Sequence, residues 1–143
     1  MIRDCKLGDN VRIDYPDLVN LYECEIGNGT LVGPFVEIQR GVKIGMRCKI
    51  ESHTFICAGV EIGDGVFIGH GVMFINDKNP EIYNENWKPE KIVVKDRVVI
   101  GSNATILPVE LGRGCLIGAG SVVTKDVLEF TKVVGNPARL LEG

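Results

Sequence analysis

Every sixth residue from Ile26 to Phe74 is large and apolar: Ile26, Val32, Ile38, Ile44, Ile50, Ile56, Ile62, Ile68 and Phe74. Few structures tolerate that period. An α-helix repeats near 3.6 residues and a long flat strand at 2, but six is a whole number of strand alternations, so short strands joined by corners satisfy it. A second series follows four residues behind the first eight members: Thr30, Val36, Val42, Cys48, Thr54, Val60, Val66 and Val72, all small or β-branched. Glycine often comes directly after the large residue, at Gly27, Gly33, Gly45, Gly63 and Gly69. β-branched residues suit strands, glycine eases the corners, and the recurring Ile and Val would stack into one inward column. A six-residue unit cannot cover its own apolar side, so the units must stack as in a solenoid.

The period lapses from about residue 76 to 91, where NDKNPEIYNENWKPEK carries two prolines and many polar residues. This segment is expected to be a loop thrown out from the coil, and loops of that length in compact folds are usually functional or disordered. The pattern resumes with Val94, Ile100 and Ile106, then with Leu111, Ile117 and Val123, one residue being lost near Pro108. A poorer coil is expected earlier, over Leu7 to Ile13. The expectation is an all-β parallel β-helix with one excursion loop and a short C-terminal tail, forming a single domain over 1–143. A chain of this length can close a core without staples.

Composition removes several function classes. Sixteen basic and 19 acidic residues, with no long run of either sign, argue against a general nucleic-acid or anionic-membrane surface. Five scattered cysteines without C-x-x-C spacing suggest neither a disulfide framework nor a zinc site. His53 and His70 are the only histidines, too few for a three-imidazole zinc enzyme. A structural or ice-binding solenoid would show regular rows of Thr and needs no long loop. The start lacks a positive-then-apolar signal and no run of about 18 apolar residues occurs, so a soluble protein of a reducing cytoplasm is expected.

Units of the form I-G-x-x-V-x, such as IGDGVF at 62–67 and IGHGVM at 68–73, resemble the left-handed β-helix acyltransferases of the hexapeptide-repeat superfamily over about residues 20–140. The resemblance implies a left-handed coil of about 18 residues per turn, assembly as a homotrimer, and acetyl-CoA as co-substrate with no metal. The run Ile117 to Val127, followed by Val133 to Arg139, is similar to the coenzyme A-binding end of these enzymes. On that resemblance Gly118, Ala119 and Gly120 let a pantetheine arm reach backbone amides, while Lys125 and Arg139 meet phosphates. Asn136 and Pro137 would border the adenine, and Gly101 and Ser102 join the coenzyme set.

Phe74-Ile75-Asn76-Asp77, followed by Asn84-Glu85-Asn86-Trp87, resembles a signature of N-acetyltransferases acting on 3-amino sugars carried by a nucleotide diphosphate. The implied substrate contacts are Phe74, Asn76, Asp77 and Trp87. Asn76 would orient the amine, and Asp77 would hold the sugar or take the proton. Asn-Asp also opens Asx turns for purely structural reasons. His70, just before the loop, is the alternative base, because the coil after the loop, Val93 to Asn103, lacks the histidine that many relatives use.

A repeat of about 18 residues stacks Arg40, Ala58 and Asn76 in one column, Phe35, His53 and Gly71 in another, and Pro34, Ser52 and His70 in a third, each step being about 4.8 Å. Arg40 could then meet a sugar hydroxyl, carboxylate or phosphate. Ala58 departs from relatives that place an acid there. The expected reaction is acetyl transfer to the amine of a nucleotide-linked sugar, a 3-amino-3-deoxyhexose, in a cleft between subunits, as used for cell-surface polysaccharides. O-acetyl transfer or a longer acyl-CoA donor are the alternatives.

Overall fold

A computed structural model describes residues 1–142. Its strands, mostly two residues long, build three parallel sheets that the chain visits in turn. The first face runs from Ile2–Arg3 to Val122–Val123, and the second from Lys6–Leu7 to Glu110–Leu111. The third runs from Arg12–Ile13 to Leu116–Ile117 and ends in an antiparallel hairpin, Lys132–Gly135 with Ala138–Leu140. The result is a prism-shaped parallel β-helix of about seven turns, consistent with the left-handed form.

The six-residue series is the core. All nine residues from Ile26 to Phe74 are at most 5% exposed, and the second series from Thr30 to Val72 is equally buried. Each buried Ile contributes on the order of 2 kcal/mol. The inward hydroxyls tie coils together: Thr30 Oγ1 donates to Gly45 O at 2.9 Å and accepts from Cys48 N at 3.1 Å, and Thr54 Oγ1 donates to Gly69 O at 2.9 Å. The first coil is poorer, as expected: no residue before Val19 is buried.

Glycine after the large residue has a different cause from the one expected. A Cβ on Gly27 would lie 2.6 Å from the backbone of Gly45, and one on Gly101 would lie 2.5 Å from Ala119 N. Coil stacking distance excludes the side chain there. The left-handed backbone falls two residues further on, for example at Phe35, His53, Gly71, Asn103 and Gly120 along the edge between the third and first faces.

Along the edge between the first and second faces, left-handed residues occur at Asp4, Glu23, Gly41 and Gly59 and then stop. The next corner on this edge opens into the excursion. Ser52 and His70 stack at a sequence separation of 18, but His70 and the next coil's Ser102 at one of 32, and the excursion accounts for the difference. The strands agree, Phe67 lying between Lys49 below and Val99 above. On the coil after that, Val99 pairs with Leu116, one residue short of the regular step, which places the lost residue at the Leu107-Pro108-Val109 corner. The lost residue is the left-handed one, a conformation closed to Pro108.

The outward faces differ. The second face carries Lys6, Glu25, Lys43 and Glu61 in alternating sign, with Lys6 and Glu25 3.7 Å apart. The third face presents Phe67, Val99 and Leu116 in one stacked apolar stripe. Among the described residues no helix is long and apolar enough to cross a membrane.

Candidate active site

The excursion leaves the edge between the first and second faces at Asn76. Its Nδ2 donates to Ala58 O at 2.8 Å, one coil below, as the expected column requires. Ala58 N in turn donates to Gln39 Oε1 at 3.1 Å. Asn76 O accepts from Glu90 N at 2.9 Å, and Lys78 lies 3.7 Å from Glu90, so the neck of the loop is closed by both backbone and charge.

Asp77 Oδ1 accepts from Asn79 N at 3.0 Å, an Asx turn that fixes the carboxylate at the mouth. Further out, Asn84 accepts from Asn86 N and Trp87 N, which brings Trp87 back towards Asp77. Asp77, Glu81, Ile82, Asn84 and Trp87 line a hollow of about 240 Å³.

Two expected substrate contacts stand elsewhere. Phe74 is 1% exposed and stacks in the core opposite Ile106, so it anchors the strand before the loop and is out of reach of a substrate. Its place as the ninth inward residue already carried that information. Arg40 is exposed, and its Nε lies 4.0 Å from Glu23 Oε2, on the coil below its own and away from Asn76.

The edge between the third and first faces carries a second cluster. His70 Nδ1 is 2.9 Å from Ser52 Oγ, confirming that column, and His70 Nε2 is 3.7 Å from Glu51 Oε2. The backbone N of His70 donates to Ser102 Oγ at 3.1 Å. Glu51 also pairs with Lys49 Nζ at 3.2 Å. Glu51, not among the expected site residues, fills the corner position that Gly33 and Gly69 hold on the neighbouring coils. Phe35 and His53 stack one coil apart on this edge with ring centroids 4.9 Å apart.

Above His70 the edge continues through Gly101 and Ser102 to Gly118 and Ala119, where close stacking leaves room only for small side chains. At its top Gly135 N donates to Ser121 Oγ at 3.1 Å, which sets the hairpin turn with Asn136 and Pro137, both exposed, over the last coil. With Gly120, seven of the expected coenzyme residues thus share one edge.

Lys125 and Arg139 do not lie on it. Both line a hollow of about 420 Å³ at the C-terminal end of the prism, together with Val123, Asp126, Val127, Leu128 and Ala138. Lys125 follows the first-face strand and so belongs to the same edge as Asn76. Neither cation is ion-paired among the described residues.

The structure therefore does not bring the candidate bases together. His70 and the pair Asn76 and Asp77 sit on different edges, with the strand Met73–Phe74 between them. The buried thiols are poor nucleophiles: burial pushes Cys57 and Cys115 up to about 11.

Two hexapeptide families match the chain: "Bacterial transferase hexapeptide (six repeats)" over residues 23–58 and "Hexapeptide repeat of succinyl-transferase" over residues 91–125. Among curated proteins, the bifunctional protein GlmU of Carboxydothermus hydrogenoformans is 35% identical over 130 residues, covering 90% of this chain and 27% of that protein. GlmU of Thermotoga maritima is 28% identical over 158 residues, covering 99% of this chain and 33% of that protein. The chain thus spans about a third of the length of these curated relatives.

Among solved structures, a variant of AntD, an N-acyltransferase from Bacillus cereus in complex with dTDP and coenzyme A, superposes with a TM-score of 0.83 at 26% identity, covering 96% of this chain and 82% of AntD. WeeI from Acinetobacter baumannii superposes with a TM-score of 0.70 at 34% identity, covering 86% of this chain and 54% of WeeI. By its hexads, its three-sided coil and these matches, the chain carries bacterial-transferase hexapeptide repeats over residues 23–58 and 91–125 and folds them as a β-helix.

Proposed function

We propose that the chain is an acyl-CoA-dependent N-acyltransferase that moves an acetyl group from acetyl-CoA to the amine of a nucleotide-linked amino sugar, a 3-amino-3-deoxyhexose. The observation that carries this reading is the loop neck. Asn76 is pinned to Ala58 O and Asp77 is fixed in an Asx turn beside the Trp87 hollow, at a corner of a fold shared with an N-acyltransferase that holds dTDP and coenzyme A.

A neutral amine must attack the thioester carbonyl, lose a proton and expel the thiolate. With its Nδ2 committed to the coil, Asn76 offers Oδ1 to an amine N–H, which aims the nitrogen lone pair away from the protein. Asp77 keeps Oδ2 for a sugar hydroxyl or for the departing proton, while Oδ1 stays in the turn. Backbone amides beside Gly101, Gly118 and Ala119 suit a pantetheine arm, and Lys125 and Arg139 suit phosphates.

Because the small-residue edge is a whole face away from Asn76, a complete site calls for the loop of one copy to approach that edge on another. Homotrimer assembly is part of the proposal. Ile82 and Tyr83, about 90% exposed on the loop, and the Phe67, Val99 and Leu116 stripe beside the small-residue edge are apolar surfaces that such a contact would cover. We place the reaction in the cytoplasm, where five free cysteines and acyl-CoA thioesters belong, on precursors of cell-surface polysaccharide.

Thiol release from acetyl-CoA, measured against a panel of nucleotide-linked 3-amino and 4-amino hexoses, tests the chemistry. Release that depends on a 3-amino sugar is expected, and release with no member of the panel would sink the acceptor assignment. Light scattering tests the assembly, since a monomer at micromolar concentration removes the shared cleft.

A further inference from the structure

Cys5 and Cys24 lie face to face on the first two coils. The strand register pairs Arg3 with Tyr22 and Lys6 with Glu25, which leaves the two cysteines stacked at equivalent corner positions. Their sulfurs are 3.5 Å apart. Cys24 is buried, whereas Cys5 is partly exposed and its Sγ is also 3.4 Å from Arg3 O. The other three thiols are spent inside the core: Cys48 Sγ donates to Gly63 O at 3.1 Å, and Cys57 and Cys115 are buried without a sulfur neighbour among the described residues.

We propose that Cys5 and Cys24 form a redox site that closes reversibly into a disulfide and clamps the first coil to the second. Stacked positions about 4.8 Å apart fall within the Cα separation that a disulfide accepts. The sulfurs must still approach by about 1.5 Å to reach bonding distance. The first coil can give that distance, because no residue before Val19 is buried, so little core packing resists a small shift. A coil with little buried surface opens most readily, so it is the coil whose opening a covalent clamp would most restrain.

The chemistry needs a peroxide as oxidant. The partly exposed thiol of Cys5 attacks one peroxide oxygen, giving a sulfenic acid and one water. The neighbouring Cys24 sulfur then attacks the Cys5 sulfur, and its proton leaves with the hydroxyl as a second water, so that two thiols and one peroxide yield one disulfide and two waters. Order is set by environment: burial, with the Cys5 sulfur alongside, pushes the Cys24 thiol up to about 12, so Cys24 acts second, as the resolving thiol. A small-molecule dithiol reverses the step.

The test is treatment of the intact protein with one equivalent of hydrogen peroxide, followed by peptide mapping without reduction and by amide hydrogen exchange. A peptide containing Cys5 joined to Cys24, with the loss of two hydrogens, is expected, together with exchange slowed by at least about tenfold across residues 2–13 and restored by dithiothreitol. Cys5→Ser should abolish both signals, and Cys57→Ser should leave both. Oxidation of Cys5 to sulfinic acid with Cys24 still a thiol, or a disulfide between chains, would overturn the site. An internal disulfide that leaves exchange unchanged would overturn the clamp.

Discussion

Two edges of one prism have been put to different uses. Where the first face meets the second, the coil is interrupted: the left-handed corners end at Gly59, a long loop is thrown out, and one residue is missing from the corner above. Where the third face meets the first, the coil runs on without a break, and Gly69 and Gly101 bring backbones close enough to exclude a side chain, while the Val134 side chain crowds Gly118. The broken edge gathers polar groups on a loop that can be shaped independently of the core. The regular edge offers a smooth track of backbone lined by small residues, with His70, Ser52 and Glu51 at its middle. A helix of this kind can keep its core and vary its chemistry, because an insertion at a corner leaves the inward columns in register.

The largest expected difference between the edges is in stability. Gly101→Ala forces a Cβ to within 2.5 Å of Ala119 N, a backbone atom that cannot move alone, and should cost about 3 kcal/mol. Gly41→Ala, on the broken edge, meets nothing within 4 Å and carries only left-handed strain, about 1 kcal/mol. Urea unfolding of both variants measures the gap, and equal midpoints would mean that stacking is not what excludes side chains from the regular edge.

Next in size is catalysis at the loop neck. Asn76→Ala should lower kcat by roughly tenfold to a hundredfold, about 1.4 to 2.7 kcal/mol of transition-state stabilisation, with the acetyl-CoA KM unchanged. Asp77→Asn should raise the sugar KM if the carboxylate holds a hydroxyl, or flatten the acidic limb of the pH profile if it takes the proton.

Smaller effects are expected for the coenzyme cations. Arg139→Ala should raise the acetyl-CoA KM by about tenfold, or ~1.4 kcal/mol, and the wild-type constant should itself rise with salt. Lys125→Ala distinguishes two paths for the coenzyme: a similar rise means that its phosphates reach the end hollow on the broken edge, and no change confines it to the regular edge. The smallest effect is assigned to His70→Asn, a loss of less than about threefold, below ~0.7 kcal/mol. Should that variant abolish turnover while the Asn76 and Asp77 variants stay near wild type, the base belongs to the regular edge, with Glu51 beside it.

The sequence alone determined the inward columns, the position of the excursion, the residue lost near Pro108 and even the burial of Phe74. Each of these is periodic or a break in a period, and burial in a stacked coil depends on a residue's place within its own hexad. The stacking of Asn76 on Ala58 and of His70 on Ser52 also followed, because the coils just below the loop keep a constant length. Only the tertiary structure decided which edge each polar corner joins once that constancy fails. From the loop upward every step differs from the last: Phe67 to Val99 spans the excursion, Val99 to Leu116 falls short of a regular coil, and Leu116 to Lys132 is shorter again. Small shifts in count carry Lys125 to the broken edge and lift Asn136 and Pro137 over the regular one. The contact between His70 and Glu51 was hidden for a related reason: hexad position says which way a residue points, but long side chains at a corner cross between columns, and their meeting is settled by packing alone.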